Sequence, residues 1–411
     1  MTRSQGLFRL PAVLLMAVCV IPQAVACGRG TRYPSSMRPD QLVLTFSGDP
    51  RTSMAVSWRQ SVGGTTDRVE LQSPDPGPSR TVNATCRMID SREWLTVEND
   101  TVIQRCTANL TDLSADTEYT YRPSDRAHPN AAGAWNRFRT APDPMDSPVT
   151  FLYLGDVQKG IEEWSSRYQA AVDRHPEVRF TIQVGDLVNV GARRTEYDDV
   201  LGGAAEAFAT VPFVPVLGNH EYVLGGETLF QREFSLSGDG PSGSGHCRAF
   251  DYGPVRVVVL DSSSEKTLAA QAAWLAARLD ESQAPWKVVV FHHPVWPPRS
   301  WFAGSDVRDA WMATLEGHGA HLVLNGHDHS YARTFPLRDG QPAQNGTVYV
   351  VSVAGSKFYK QGASPRIAKG LDWTSTYQVI TASPDRLVLS TRTWDGIEVD
   401  HLILSGSSPP R

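Results

Sequence analysis

An excess of basic charge is the first thing this chain lacks. Its 39 Lys and Arg are outnumbered by 44 Asp and Glu, for a formal net charge of −5. That balance gives no electrostatic case for nucleic acid as the main partner. Low-complexity tracts and clear internal repeats are also missing. Beyond the N-terminus no stretch is long and apolar enough to span a bilayer. What is present, 41% hydrophobic and 20% charged residues, is the composition of a soluble globular protein. A length of 411 residues exceeds one average domain, so two are expected.

The N-terminus reads as a targeting segment. Arg3 and Arg9 precede the apolar run from Pro11 to Ile21, and Ala24-Val25-Ala26 supplies the small residues of a cleavage site. This pattern predicts a secretory signal peptide over 1–26 and an exported protein, periplasmic, cell-surface or extracellular. Cys27 follows that site directly and is a candidate lipidated first residue; ordinary cleavage is the alternative. Cys86 and Cys106 fall in one predicted domain and could pair in an oxidising compartment, with Cys247 left over. Asn83, Asn99, Asn109 and Asn345 head glycosylation sequons.

Residues 27–38 are rich in Gly, Arg, Ser and Pro and read as a linker. From 39 to 141 the pattern is all-β. Leu42–Phe46, Ser53–Trp58, Val102–Leu110, Thr117–Arg122 and Trp135–Arg139 are short strands, several alternating with period two, and Gly63-Gly64 and Ser73–Pro78 are turns. Regular spacing predicts a β-sandwich of fibronectin type III kind, with Trp58 and Tyr119 in its core. Residues 142–148 are Pro-rich and form an interdomain linker. From 149 to 406 the pattern becomes α/β. Strands are expected at 149–154, 179–184, 211–216, 255–260, 287–291, 321–324, 347–353 and 386–393, and helices over Gln271–Leu279 and Asp306–Leu315.

Within that second domain, five apolar runs end in chemistry-bearing residues: Gly155-Asp156, Gly185-Asp186, Gly218-Asn219-His220-Glu221, His292-His293-Pro294 and Gly326-His327-Asp328-His329. A lone Asp after a strand is usually a turn or cap residue, and a lone His is usually a satisfied one. Hard oxygen donors and imidazoles delivered by five successive strand ends are instead what a two-cation hydrolytic centre requires, with one carboxylate reaching both cations and an extra imidazole near the leaving oxygen.

On these segments the chain resembles the metallophosphoesterase superfamily, and within it the purple acid phosphatases. Asp49–Trp58 resembles the opening of their N-terminal sandwich domain, and Gly326–Arg333 resembles their G-H-x-H-x-Y-E-R segment with Ala332 in place of Glu. The resemblance implies a four-layer α/β/β/α domain behind the β-sandwich. It also implies two divalent cations (Mn, Zn, Fe or Mg), and hydrolysis of a small phosphoester by a metal-bridging hydroxide. Asp156 would bind the first cation, Asp186 would bridge, and Asn219, His292 and His327 would bind the second. His329 would bind the first, and His220 would contact phosphate or the leaving group as the catalytic residue. His293 is the lesser choice beside His292, and His246 is a candidate substrate contact. Arg299 and Trp301 read as a solvated loop near the mouth.

Two departures stand out. The tyrosine that the purple enzymes carry three residues after the bridging Asp is Asn189, and the D-x-H of many other metallophosphoesterases is Asp156-Val157-Gln158. Gln158 and Asn189 are therefore candidate amide ligands, and a colourless enzyme without iron(III) is expected. Acid phosphatase-like monoester hydrolysis is the leading expectation. A phosphodiesterase acting on nucleotides, cyclic nucleotides or lipid head groups is the alternative, with the loops Gly225–Gly245 and Pro297–Ser305 as its determinants. A catalytically weak cell-surface binding protein is the reading from another class.

Overall fold

The computed structural model describes residues 30–406 except 75–78, 127–132, 144, 146, 239, 243–244 and 300–304. The expected signal peptide, Cys27 and Trp301 lie outside the described residues. No helix among the described residues is long and apolar enough to cross a membrane.

The first domain is built from β1 (Asp40–Thr45), β2 (Met54–Ser61), β3 (Thr66–Gln72), β4 (Arg80–Asn83), β5 (Thr85–Asp90), β6 (Val102–Leu110), β7 (Glu118–Asp125) and β8 (Asn136–Arg139). They form two four-stranded antiparallel sheets in the orders β1-β2-β6-β5 and β4-β3-β7-β8. Alternating residues such as Val56, Trp58, Val69, Leu71, Tyr119 and Tyr121 fill the space between the sheets. Cys86 and Cys106 are direct partners in the β5–β6 ladder and form a disulfide; Cys247 is free and buried.

The second domain runs β9 (Val149–Leu154), α1 (Ile161–Arg174), β10 (Val178–Gln183), α2 (Arg194–Gly203), α3 (Ala205–Thr210), β11 (Phe213–Pro215), α4 (Glu227–Phe234), β12 (Arg248–Tyr252), β13 (Val255–Val259), α5 (Leu268–Asp280), β14 (Trp286–Val290), α6 (Ser305–Gly317), β15 (Leu322–Asn325), β16 (Tyr331–Thr334), β17 (Leu337–Arg338), β18 (Gln341–Pro342), β19 (Val348–Val351), β20 (Ile367–Leu371), β21 (Thr376–Ser383), β22 (Arg386–Thr393) and β23 (Glu398–Ser405). Two large sheets result, β11-β10-β9-β21-β22-β23 and β12-β13-β14-β15-β19-β16-β20, and β17 pairs with β18 in a separate two-stranded ribbon.

The period-two pleat explains the layers. On β9, Phe151 and Tyr153 join Phe180, Ile182, Val257, Val288, Val290 and Leu324 between the sheets, while Leu152 and Leu154 face outward onto Trp164 and Tyr168 of α1 and Phe208 of α3. On the other side Val258, Val289 and Val323 pack against Leu275 of α5 and Trp311 of α6. Each large side chain buried this way stabilises by about 1.5–3 kcal/mol. The result is the expected α/β/β/α stack, and its strands β9, β10 and β11 in one sheet, and β13, β14, β15 and β19 in the other, are parallel. Their carboxyl ends therefore open at one edge, where loops can carry ligands.

Two expectations need correction. Residues 30–38 are no free linker. The Thr31 backbone pairs with the Asn99 amide, Arg32 pairs with Glu162 and Asp199, and the Ser35 hydroxyl donates to Asp100. Specific polar contacts of this kind do not show in a Gly-, Ser- and Pro-rich composition. The stretch Gly225–Gly245, read as a loop, contains α4, whose Leu229, Phe230 and Phe234 are buried.

Candidate metal centre

Each of the five segments sits where its strand ends. Asp156 follows β9, Asp186 follows β10, Asn219 and His220 follow β11, His292 follows β14, and His327 and His329 follow β15. Glycine is required at two of the approaches. A Cβ on Gly218 would fall on Asp186 Oδ1, and one on Gly326 on Asp156 Oδ1. Asp186, His327 and His329 adopt left-handed backbone, with φ of 53°, 70° and 46°. That costs about 1–3 kcal/mol at each position, which the surrounding packing and hydrogen bonds must offset.

Four donor atoms gather beside Asn219. Its Oδ1 lies 3.0 Å from His327 Nδ1 and 3.1 Å from His292 Nε2; those two nitrogens are 3.3 Å apart, and His292 Nε2 is 3.3 Å from Asp186 Oδ1. Donors held about 2.0–2.2 Å from one cation would sit about 3.0–3.4 Å from one another. His292 Nδ1 donates to the Val184 carbonyl at 2.9 Å, which turns Nε2 toward the cluster. Burial alone would lower the His292 pKa, but the Asp186 carboxylate carries it to about 10. The pocket thus calls for positive charge at Nε2, the place a cation would take. Burial, with the neighbouring His292, keeps His327 well below the ordinary range and His293 at about 3, so both are neutral imidazoles. The donor set fits a divalent cation.

The second group is different. Asp156 Oδ2 lies 3.2 Å from His329 Nε2 and accepts no hydrogen bond. His329 Nδ1 faces the Lys357 carbonyl at 3.0 Å, so Nε2 offers a lone pair. Gln158 also reaches this place, but with its amide nitrogen, 2.8 Å from Asp186 Oδ2 and 3.0 Å from His329 Nε2. Its oxygen instead accepts from Lys357 Nζ at 3.3 Å. As placed, Gln158 presents hydrogens, not a lone pair, to the position expected for the first cation.

His220 is held beside the cluster. Its Nδ1 donates to the Asn189 carbonyl at 2.6 Å, its backbone N donates to Asp186 Oδ1 at 2.9 Å, and its Nε2 stands 3.8 Å from Asp186 Oδ2. Asn189 contributes to the site through that backbone carbonyl. His293 lies against His327, ring centres 4.4 Å apart, with Nδ1 at 3.0 Å from Ser262 Oγ. His246 faces Asp261 Oδ2 at 3.4 Å, beside Tyr222, whose hydroxyl donates to the same carboxylate. Arg299 is not solvated: it is buried, and its Nη2 pairs with Asp328 at 2.7 Å.

The sequence reading left two residues without a role. Glu221 is buried, and its carboxylate accepts from the backbone N of Asp186, Leu187 and Gly218 at 2.8, 2.8 and 2.7 Å. Burial, with the Asp186 charge beside it, raises its pKa, and the Gly218 and Asp186 backbone donors pull it back. It fastens the Asp186 turn to the Asn219 turn, and its place in Gly218–Glu221 was the available signal. Lys357, on the loop after β19, carried no signal.

The second domain has the metallophosphoesterase fold, and the donors lie at the edge where its parallel strands end. Residues 149–331 match the calcineurin-like phosphoesterase family model, and residues 39–140 ahead of them match the model of the purple acid phosphatase N-terminal domain. A purple acid phosphatase from yellow lupin (Lupinus luteus) seeds superposes with a TM-score of 0.77 at 16% identity, over 90% of this chain and 74% of that one. An uncharacterized protein of Mycobacterium tuberculosis is 26% identical over 72% of this chain and 62% of its own. In Arabidopsis thaliana, purple acid phosphatase 21 is 25% identical over 62% of this chain and 59% of its own. A probable inactive purple acid phosphatase there is 22% identical over 60% and 48%. The chain spans roughly half to three-fifths of the length of these curated relatives.

Proposed function

We propose that the protein is an exported, metal-dependent phosphoric ester hydrolase acting on small phosphomonoesters. The observation that carries this reading is the cluster of Asp186, Asn219, His292 and His327 donors at cation-ligand spacing with His220 alongside. A cation bound there supplies Lewis acidity toward a phosphoryl oxygen and acidifies a bound water. The chain's own residues supply the rest. Asp186 and Asn219 orient through their oxygens, and Glu221 keeps their two turns in register. His220, fixed through Nδ1, presents Nε2 to the ester. As water oxygen bonds to phosphorus and the P–O bond to the leaving group breaks, the leaving oxygen takes its proton from His220 Nε2, and the proton shed by the attacking water restores the one His220 has given.

The test is elemental analysis of the purified protein with matched aryl phosphate mono- and diesters under added Mn, Zn and Fe. Expected are bound metal, monoester turnover abolished by chelation, and loss of both metal and turnover in Asp186→Ala. Faster diester turnover would replace the substrate class. Bound metal without turnover under any addition would support the second reading, a catalytically weak binding protein, which Gln158 facing the ligands with its amide nitrogen favours.

A further inference from the structure

We infer that this chain binds one divalent cation tightly rather than two, because Gln158 and Lys357 stand in for the first. This rests on the phosphoesterase reading and deepens it. The argument is one of donors and acceptors. Asp186 Oδ2 and His329 Nε2 are both acceptors, the latter because Nδ1 is committed to the Lys357 carbonyl. An amide NH2 carries two hydrogens. Gln158 Nε2 sits within hydrogen-bond distance of both acceptors, at 2.8 and 3.0 Å, so one amide group satisfies two atoms that would otherwise need a cation.

Coordination by Gln158 would require its amide to turn by half a revolution and present oxygen. Lys357 opposes that turn. Its ammonium, 3.3 Å from Gln158 Oε1 and over the Tyr359 ring at 5.2 Å, would then face the amide N–H2, donor against donor. Lys357 thus acts as a positioning residue. It also brings one positive charge to a cluster that holds Asp156 and Asp186, part of what a cation would have supplied. With Asp186 Oδ2 and His329 Nε2 facing amide hydrogens, Asp156 Oδ2 remains as the open donor, too little to hold a divalent ion firmly. Gln158 directs its hydrogens to Asp186 Oδ2 and His329 Nε2, away from the Asn219 group.

The experiment counts metal. Metal-depleted full-length mature protein is titrated with Mn2+ and read by calorimetry and by electron paramagnetic resonance. Parallel elemental analysis follows gel filtration. One equivalent with the signal of an isolated Mn2+ ion is expected. In Gln158→His an imidazole replaces the amide, and in Lys357→Met the amide is free to turn. Each should raise affinity for a second equivalent by about tenfold or more and give a coupled-pair signal. Circular dichroism checks that both variants fold, and either one alone suffices. Two equivalents of comparable affinity in the unaltered protein would overturn the inference while leaving the hydrolase reading intact. One equivalent without turnover would do the reverse, and no binding at all would overturn both. Variants that stay at one equivalent would also overturn it, since Gln158 and Lys357 would then not be what excludes the second ion.

Discussion

At the scale of single residues, the proposed centre separates the donors that would hold a cation from His220, which would meet the ester. His220 is tied twice to its surroundings, through Nδ1 to the Asn189 carbonyl and through its backbone N to Asp186 Oδ1. Only the first tie is lost when the side chain is removed. His220→Ala should therefore lower kcat by about 10²–10⁴ while elemental analysis finds metal content unchanged. A parallel fall in metal would make His220 a ligand instead. The five strand-end segments were legible because each places an oxygen donor or an imidazole just after an apolar run, and a Gly beside Asp156, Asp186, Asn219 and His327 allows close backbone approach. Lys357 was not legible. It lies 199 residues from Gln158 in a stretch with no motif, and only the chain path brings the two together.

At the scale of elements, the motif Gly326–Arg333 does more than deliver imidazoles. Tyr331 and Arg333 on β16 both reach Asp400 on β23: the hydroxyl donates at 2.7 Å, and the guanidinium at 2.6 and 2.9 Å. Because β16 and β23 belong to different sheets, this carboxylate clamps the two layers together behind the ligand loop. Burial works to raise the Asp400 pKa, yet the Arg333 and Tyr331 hydrogen bonds hold it below the ordinary carboxylate range. The folded state then binds that proton less readily than the unfolded chain. The stabilisation is complete above the ordinary range and is lost as pH falls through the depressed folded value. Asp400→Asn should melt at a lower temperature than the unaltered protein at pH 7, and the gap should narrow under strong acid. A gap of constant size would mean that the ion pair contributes nothing to it. The parallel strands that build this layer were readable as continuous apolar runs, and β6, β9 and β22 fell at the expected residues. Helices α1, α2, α3 and α4 were not. On α1 the buried stripe Trp164, Tyr168 and Ala171 stands at helical spacing among charged neighbours and was there to be read, whereas α2 ends on two glycines that mask its pattern.

At the scale of the whole molecule, two domains were expected from the change of pattern at residues 142–148, but how they join was hidden because residues far apart in sequence build the joint: Val43, Ile89 and Ile103 share one core with Phe230 and Phe234. Phe46 supplies an apolar pin, its ring 4.9 Å from Phe250 and 6.0 Å from Phe180. Beside it, Arg59 of β2 pairs with Asp198 of α2 at 2.8 Å, Arg194 pairs with the same carboxylate at 3.2 Å, and Arg105 of β6 pairs with Glu233 of α4 at 3.0 Å, all buried. Asp198→Ala would leave two arginines facing each other out of water. Loss of one buried partner costs about 3–5 kcal/mol, and the lower end is expected here because Arg59 keeps Asp40 and Arg194 keeps Asp100. The consequence should also reach the site. Glu196, on the same helix, accepts from the backbone N of Asn189 and Val190 at 2.6 and 3.1 Å, and the Asn189 carbonyl is what aims His220. A shifted α2 would misdirect that imidazole without touching the donors at Asn219, His292 and His327. Asp198→Ala should thus lower the melting temperature, retain its metal and lose turnover in kcat rather than KM, measured well below the melt. Undiminished kcat would show that the Asp198 pairs at the joint take no part in holding His220.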